Sequence, residues 1–309
     1  MRILIVGPGA VGGFLAARLM AAGGDVALLA RPPRADGLRR EGLSVHEGSA
    51  TQTYRPRVLT APELEPEFDL VVFAVKSDAF GSAINDVALA VGPSTAAVPF
   101  LNGMRHVEPL VARFGSAALG GVLRIATEAE DGGAIRVLAP LFEVEIGALA
   151  RESDHRVEDI ASLFRAAGAQ VTIPADIVGA MWTKWVEIAS IGAVTSLMRA
   201  SVGEIVAVPG GAAFSQSILD EAAAIAVAAG HPVPAAALTA ARKTLTTEGS
   251  STTSSLSRDL MAGRRTEVEP VLGDLVANAD ATATAVPLLA LAALALRIHN
   301  RRLEASKGA

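Results

Sequence analysis

The sequence predicts an α/β chain in two parts: a dinucleotide-binding domain on a parallel sheet over residues 1–174, then an all-helical domain over 175–309. Three observations predict this. The chain opens in the order strand, glycine turn, helix, strand. Short apolar and alternating segments recur as far as Pro174, and beyond it Ala-rich helical runs are separated by Gly and Pro. The length of 309 residues also suits two domains of roughly 100 to 200 residues each.

Arg2 to Val6 is a short apolar run of the kind that makes a buried parallel strand. Gly7, Gly9 and Gly12 follow in GxGxxG spacing, before a helical run of Leu, Ala and Phe. Gly7 permits a tight bend, Gly9 lets a pyrophosphate approach the backbone, and Gly12 lets the helix pack closely on the sheet. An anion there meets the unpaired N–H groups and positive dipole of a helix N-terminus. Pro8 has no N–H, so phosphate contacts fall to its neighbours.

The second strand, Asp25 to Ala30, speaks to which dinucleotide binds. An NAD site usually closes that strand with Asp or Glu on the ribose 2′-hydroxyl. This chain has Leu29, Ala30, Arg31, with Arg34 three residues on. Two guanidiniums suit a 2′-phosphate, which predicts NADP(H); the alternative is a pair of solvated loop charges.

Ser44 to Glu47 and Gln52 to Val58 are read as irregular strands bordering the sheet. Phe68 to Val75 is a strongly apolar strand that delivers Lys76, Ser77 and Asp78 at its C-terminal end, the edge where ligands bind in open α/β sheets. Lys76 can meet a cofactor phosphate or ribose there, or be a loop Lys. Thr95 to Leu101 is the next strand and ends in Asn102, Gly103, Met104. Asn102 can orient a carboxamide or a substrate oxygen, or simply form a turn before Gly. Ala118 to Ala148 reads as the partly antiparallel far edge of the sheet, with a turn at Gly132 and Gly133. Ser153 to Ala167 is an amphipathic helix with a Ser or Asp cap, and Gln170 to Ile173 a last strand.

The helical part reads as Ala175 to Met198, Gly211 to Ala229, Pro234 to Thr247, Ser255 to Ala262, Glu267 to Ala279 and Val286 to Leu303, with Ser306 to Ala309 disordered. Lys184 stands in an otherwise apolar run with only Glu187 charged nearby. Desolvation can bring a Lys toward the working pH as a general acid, whereas snorkelling or pairing with Glu187 at i+3 is the structural alternative. Ser254, Ser255 and Ser257 form a hydroxyl cluster ahead of Glu267. Hydroxyls at a helix start can hold a carboxylate, although Ser runs are more often caps.

Composition excludes several classes. A net charge of −5 gives no basic field for nucleic acid. Absence of cysteine removes thiol nucleophiles, disulfides and thiolate metal sites, and the five histidines lie without a metal-ligand spacing, so no metal is expected. The apolar N-terminal run is accounted for by the glycine turn. Ala281 to Leu296 is shorter than the about 20 residues of a span, contains Pro287 and leads into Arg297, which reads as a buried helix. A cytoplasmic protein without membrane association is expected. The apolar C-terminal helices would serve a homodimer or an internal core alike.

Taken together, the GxGxxG turn, Lys76 after an apolar strand, the Asn102, Gly103, Met104 triplet, Trp182 with Lys184 two positions on, Val202, Gly203, Glu204, and the closing SS…D…AG…TE segment resemble the ketopantoate reductase family (2-dehydropantoate 2-reductases) over essentially the whole chain. The resemblance implies a Rossmann domain joined to a helical domain like that of 6-phosphogluconate dehydrogenases. It implies NADP(H) held by Gly7, Gly9, Ala10, Val11 and Gly12 at the pyrophosphate, Arg31 at the 2′-phosphate, and Lys76 and Asn102 toward the ribose and nicotinamide. Lys184 matches the family's general acid, Glu267 the carboxylate that supports catalysis, and Asn102 and Ser255 the substrate ligands. The implied reaction is NADPH-dependent reduction of a 2-oxo acid to a 2-hydroxy acid, with ketopantoate in pantothenate synthesis first.

One departure bears on substrate. Members that reduce ketopantoate commonly carry asparagines one and two turns after the catalytic Lys, where this chain has Ile188 and Gly192. A pocket stripped of two hydrogen-bonding side chains favours a less polar substrate. The alternatives are therefore a reductase or dehydrogenase of another keto or β-hydroxy acid, or a non-catalytic NADP-binding regulator.

Overall fold

Ten strands and twelve α-helices make up two compact units in the computed structural model, which describes residues 1–66, 68–149 and 155–307. One unit takes Met1–Leu101 and His106–Ile177, the other Asn102–Arg105 and Val178–Ala309. Four residues from the first half of the chain thus fold with the helical second half.

The first unit begins β1 (Arg2–Val6), α1 (Ala10–Ala21), β2 (Asp25–Leu29), α2 (Pro32–Glu41), β3 (Leu43–Glu47), β4 (Ala50–Tyr54), β5 (Arg57–Leu59), β6 (Leu70–Phe73), α3 (Phe80–Asp86), β7 (Ala96–Pro99) and α4 (Val107–Phe114). A parallel sheet runs in the order β5-β2-β1-β6-β7, with Val6 opposite Leu29 and Phe73. Both faces are covered, so its strands are continuously apolar rather than alternating. Side-chain direction still alternates: Ile3, Ile5, Leu28 and Val72 join one core cluster, and Leu4, Val6, Leu29, Val71 and Phe73 the other.

The far part of this unit differs from the sequence expectation. After β8 (Leu119–Ala129) come β9 (Ile135–Ala148), α5 (His155–Ala166) and β10 (Gln170–Thr172). Ala118 touches the edge of the parallel sheet through a single parallel bridge to Ala97, but from there to Ala148 the chain is the hairpin of a second sheet, β10-β9-β3-β4 with β8 on β9. The two apolar pieces after Gly133 are one strand of 14 residues. Pro140 lies inside it, and the register slips between Ile125 and Thr127, because a residue without an N–H cannot continue the ladder. β3 and β4 belong to this second sheet, and β5 alone of that region joins the first. The cap expected at Ser153 or Asp154 lies outside the described residues.

The helical unit consists of α6 (Ile177–Met198), α7 (Val202–Val206), α8 (Gly211–Ala228), α9 (Ala235–Thr246), α10 (Ser255–Met261), a π-helical turn (Glu269–Gly273), α11 (Asp274–Ala281) and α12 (Pro287–Lys307). α6 is long and apolar enough to cross a membrane by length and composition, yet Trp185, Val186, Ala189, Ala193 and Val194 are buried in this unit's core. Ala281 to Leu296 is not one helix. Ala281 closes α11, Ala283 takes a positive φ of 53°, and α12 starts at Pro287, where the missing N–H is harmless. α12 buries Leu289, Ala292, Ala293 and Leu296, while Leu291 and Leu294 are about half exposed, at 52% and 53%. Ser306 is the last turn of that helix rather than a disordered tail, and its hydroxyl donates to the Arg302 carbonyl.

Candidate functional site

The glycine turn is built for close approach. Gly7 has φ +93°, and a Cβ on Gly12 would lie 2.2 Å from the Gly7 carbonyl oxygen, so the helix can sit this near the turn only without a side chain. Gly9 is different: a Cβ there would meet no heavy atom within 4 Å. It is the N-cap of α1 in extended backbone (φ −87°), with no side-chain cap and no acidic residue in the first turn. The Gly9 N–H is spent on the Gly7 carbonyl at 2.9 Å, which leaves the first-turn amides of Ala10, Val11 and Gly12 as the donors without an intrahelical acceptor. Open space above Gly9 and an uncompensated helix N-terminus fit a dinucleotide pyrophosphate.

Around this turn the predicted cations part company. Arg31 is exposed, at the N-cap of α2 directly after β2. Arg34 is half-buried and committed elsewhere: its Nη2 donates to the Gly133 carbonyl at 2.6 Å, in the β8–β9 turn, and burial holds its pKa below the usual guanidinium value. Of the two guanidiniums expected near a phosphate, Arg31 is exposed and Arg34 is engaged with the β8–β9 turn. Lys76 is exposed three residues past β6, and its carbonyl accepts from the Ala79 N–H.

The remaining predicted residues, Asn102, Lys184, Ser255 and Glu267, all belong to the helical unit. Lys184 is half-buried on α6, in a stretch where Trp182, Trp185 and Val186 are buried. Half-buried Glu187, Ile188 and Ile191 follow it at i+3, i+4 and i+7, so they share the only partly open face of this helix segment with it. Gly192, two turns beyond Lys184, is buried; a Cβ there would lie 3.0 Å from Leu256 Cδ1 and 3.9 Å from Val271 Cγ1.

The hydroxyl cluster divides by role. Ser254 is the N-cap of α10: its Oγ accepts from the Ser257 N–H at 2.9 Å and shares a hydrogen bond with buried Thr195 Oγ1 at 2.8 Å. Ser257 donates to the Thr195 carbonyl. Two of the three serines therefore fasten α10 to α6, and Ser255, the first residue of α10, is left exposed. The Val202, Gly203, Glu204 triplet has a supporting part. Ser201 and Glu204 cap α7 reciprocally, and the Val202 and Gly203 N–H groups donate to the Thr252 and Ser250 carbonyls, which seats the segment leading into Ser254.

Glu267 is half-buried and sits two residues before the π-helical turn. Its neighbour Thr266 is buried, held by Asn300 Oδ1 of α12 on both the N–H, at 2.9 Å, and the hydroxyl. Sequence reasoning passed over this turn and its charges. Arg297 grips Glu269 through Nε and Nη2 at 2.8 and 2.7 Å, and this hydrogen-bonded fork holds the Glu269 carboxyl below its usual pKa. Arg105 grips Asp274 through Nε at 2.6 Å and through Nη2. Pro270, inside an otherwise helical pattern, was the available signal.

The family model described as ketopantoate reductase PanE/ApbA matches residues 3–151, and its C-terminal counterpart matches 176–299. The chain is 30% identical over 290 residues to an oxidoreductase of Bacillus subtilis designated uncharacterised, YkpB, covering 94% of this chain and 95% of that one. It is also 30% identical over 309 residues to the 2-dehydropantoate 2-reductase of Halobacterium salinarum, with 97% and 99% covered. A crystal structure of a PanE/ApbA family ketopantoate reductase from Ralstonia eutropha superposes with a TM-score of 0.87 at 26% identity, over 98% of this chain and 100% of the other.

Proposed function

Because the chain belongs to the ketopantoate reductase family, PanE/ApbA, and is an oxidoreductase acting on CH–OH groups with a nicotinamide dinucleotide, we propose that it reduces a 2-oxo acid with NADPH. 2-Dehydropantoate is the leading substrate and pantothenate synthesis its setting. The observation that carries this reading is Lys184, a half-buried lysine with Glu187 one turn on in a largely apolar helix, one residue before an anchored Trp185. A glycine turn alone would serve a sensor; a Lys in such surroundings serves proton transfer.

Ala10, Val11 and Gly12 hold the pyrophosphate of the cofactor, Arg31 its 2′-phosphate, and Lys76 its ribose side. Bound there, the dinucleotide supplies a hydride to the ketone carbon. Lys184 donates the proton that the new alkoxide oxygen needs, and its positive charge stabilises that oxygen as charge develops. Asn102 orients the ketone and carboxamide, Ser255 binds the substrate carboxylate, and Glu267 supports Lys184 and the substrate hydroxyl.

A second reading has its own observation. Ile188 stands one turn beyond Lys184, and the space beside Gly192 is taken by the ends of Leu256 and Val271. A site walled in this way offers a substrate hydroxyl fewer partners than one with two asparagines there, and a buried hydroxyl left short of partners is disfavoured. A hydrocarbon 2-oxo acid such as 2-oxoisovalerate fits it better. The deciding experiment follows NADPH absorbance on adding ketopantoate, with 2-oxoisovalerate and NADH in parallel. Turnover of ketopantoate supports the first reading, turnover of 2-oxoisovalerate alone supports the second, and no turnover of any 2-oxo acid despite cofactor binding overturns both.

A further inference from the structure

Four charges that the proposed chemistry leaves unused, Arg105, Glu269, Asp274 and Arg297, are gathered around one short segment. The π-helical turn Glu269–Gly273 closes with the Asp274 N–H donating to the Glu269 carbonyl, five residues back. Such a widened turn takes up one residue more than an α-helical turn and frees carbonyls for donors outside the helix, and π-turns frequently mark functional sites. Pro270, without an N–H, contributes to the break in the regular ladder.

Three elements are fastened to this turn. From α6, buried Trp185 Nε1 donates to the Val271 carbonyl at 2.9 Å. From the segment after β7, Gly103 (φ +75°) lies so close that a Cβ would be 2.1 Å from the Pro270 carbonyl oxygen, and Arg105 closes a two-pronged grip on Asp274. From α12, Arg297 closes a second grip on Glu269. Arg105 also attracts Glu269, and Arg297 attracts Asp274, so the four charges alternate in sign.

The anchored residues are the immediate neighbours of the proposed site. Asn102 precedes Gly103, Lys184 precedes Trp185, and Glu267 stands two residues before Glu269. We infer that the π-helical turn is the common mount that sets Asn102, Lys184 and Glu267 in register, and that Arg105 with Asp274 is a positioning pair acting through Asn102. The inference rests on the 2-oxo acid reductase reading. An exposed ion pair contributes little to stability, whereas a bidentate fork fixes direction as well as distance. The pair's main effect is therefore on geometry, to which reaction rates respond steeply.

The test compares Arg105→Ala, Arg105→Lys and Asp274→Asn with the double exchange Arg105→Asp/Asp274→Arg, in the full chain, on whichever 2-oxo acid the parent turns over. The expected result is a kcat lowered about 10- to 100-fold in Arg105→Ala and Asp274→Asn. Cofactor Kd stays within about twofold and the melting temperature within about 2 °C. Arg105→Lys, which has a charge but no fork, recovers only part of the rate, and the double exchange recovers more than either single change. An unchanged kcat in both single variants overturns the inference, as does a kcat that falls only in step with melting temperature. Should the parent reduce no 2-oxo acid, the functional reading fails separately, and hydrogen exchange decides the mount. Arg105→Ala must then raise exchange at residues 103–105 and 271–274 together, and exchange confined to the first segment refutes it.

Discussion

Replacing Gly9 by Ala separates binding from folding at the glycine turn. The backbone there (φ −87°) is one that any residue adopts, and the added methyl meets no protein atom within 4 Å. The folded state therefore gains no strain, while the unfolded chain loses freedom, which stabilises by about 0.4–1 kcal/mol. In a unit of this size that raises the melting temperature by about 1–4 °C. With the pyrophosphate on the first-turn amides, as proposed, the methyl takes up part of the open space beside it. Loss of one hydrogen bond to a charged oxygen, about 1.5–3 kcal/mol, weakens cofactor affinity about 10- to 150-fold. Gly12→Ala is the contrasting variant: its Cβ falls 2.2 Å from the Gly7 carbonyl oxygen, backbone against backbone, so stability drops by about 1–3 kcal/mol or more along with affinity. Titration of NADPH by fluorescence, with thermal melts of the free protein, reads both quantities. A Gly9→Ala protein that binds NADPH as tightly as the parent would refute the placement of the pyrophosphate.

Three further outcomes are expected. Lys184→Ala abolishes most reduction, by about 100-fold or more, while NADPH binding measured by titration is retained. Arg31→Ala weakens NADPH far more than NADH, and Arg34→Ala, whose guanidinium is spent on the Gly133 carbonyl, changes their ratio little; paired Kd measurements check this. Glu269 has a folded pKa held below its ordinary value of 4.5 by Arg297, so its stabilising contribution is fully present above about pH 4.5 and is lost as pH falls through the folded value. The melting-temperature gap between the parent and Glu269→Gln should be constant at neutral pH and close as the pH falls below 4.5 and through the folded value.

The opening strand, glycine turn and helix were legible because each is encoded in consecutive residues. The same holds for α6, whose apolar run with Lys184 and Glu187 announces a core helix that carries a charged face. The second sheet was not legible. β3 pairs with β9 about 90 residues away, Val45 with Ile135, and no local pattern distinguishes that partner from the edge of the first sheet. The contact of Arg34 was hidden for a related reason. Its spacing from the second strand suits a phosphate, but the Gly133 carbonyl arrives from a hairpin 99 residues on. Among the serines, Ser254 and Ser257 proved to be structural and Ser255 exposed, a division set by helix capping that the letters alone leave open. The π-helical turn and its two arginine forks escaped notice because each fork joins residues 28 or 169 apart, and only Pro270 marks the site locally.

The inclusion of Asn102–Arg105 in the helical unit has a consequence for how the chain matures during synthesis. Arg105 must wait for Asp274, 169 residues later. At a synthesis rate of about 5–20 residues per second the wait is roughly 8–34 s. The glycine turn and the strands β2 and β6 that flank it are finished by Phe73, and they leave the ribosome long before that. A nascent chain can therefore present its phosphate-binding turn while Asn102 still has no mount to rest on. On the proposed roles, competence to bind precedes competence for the chemistry.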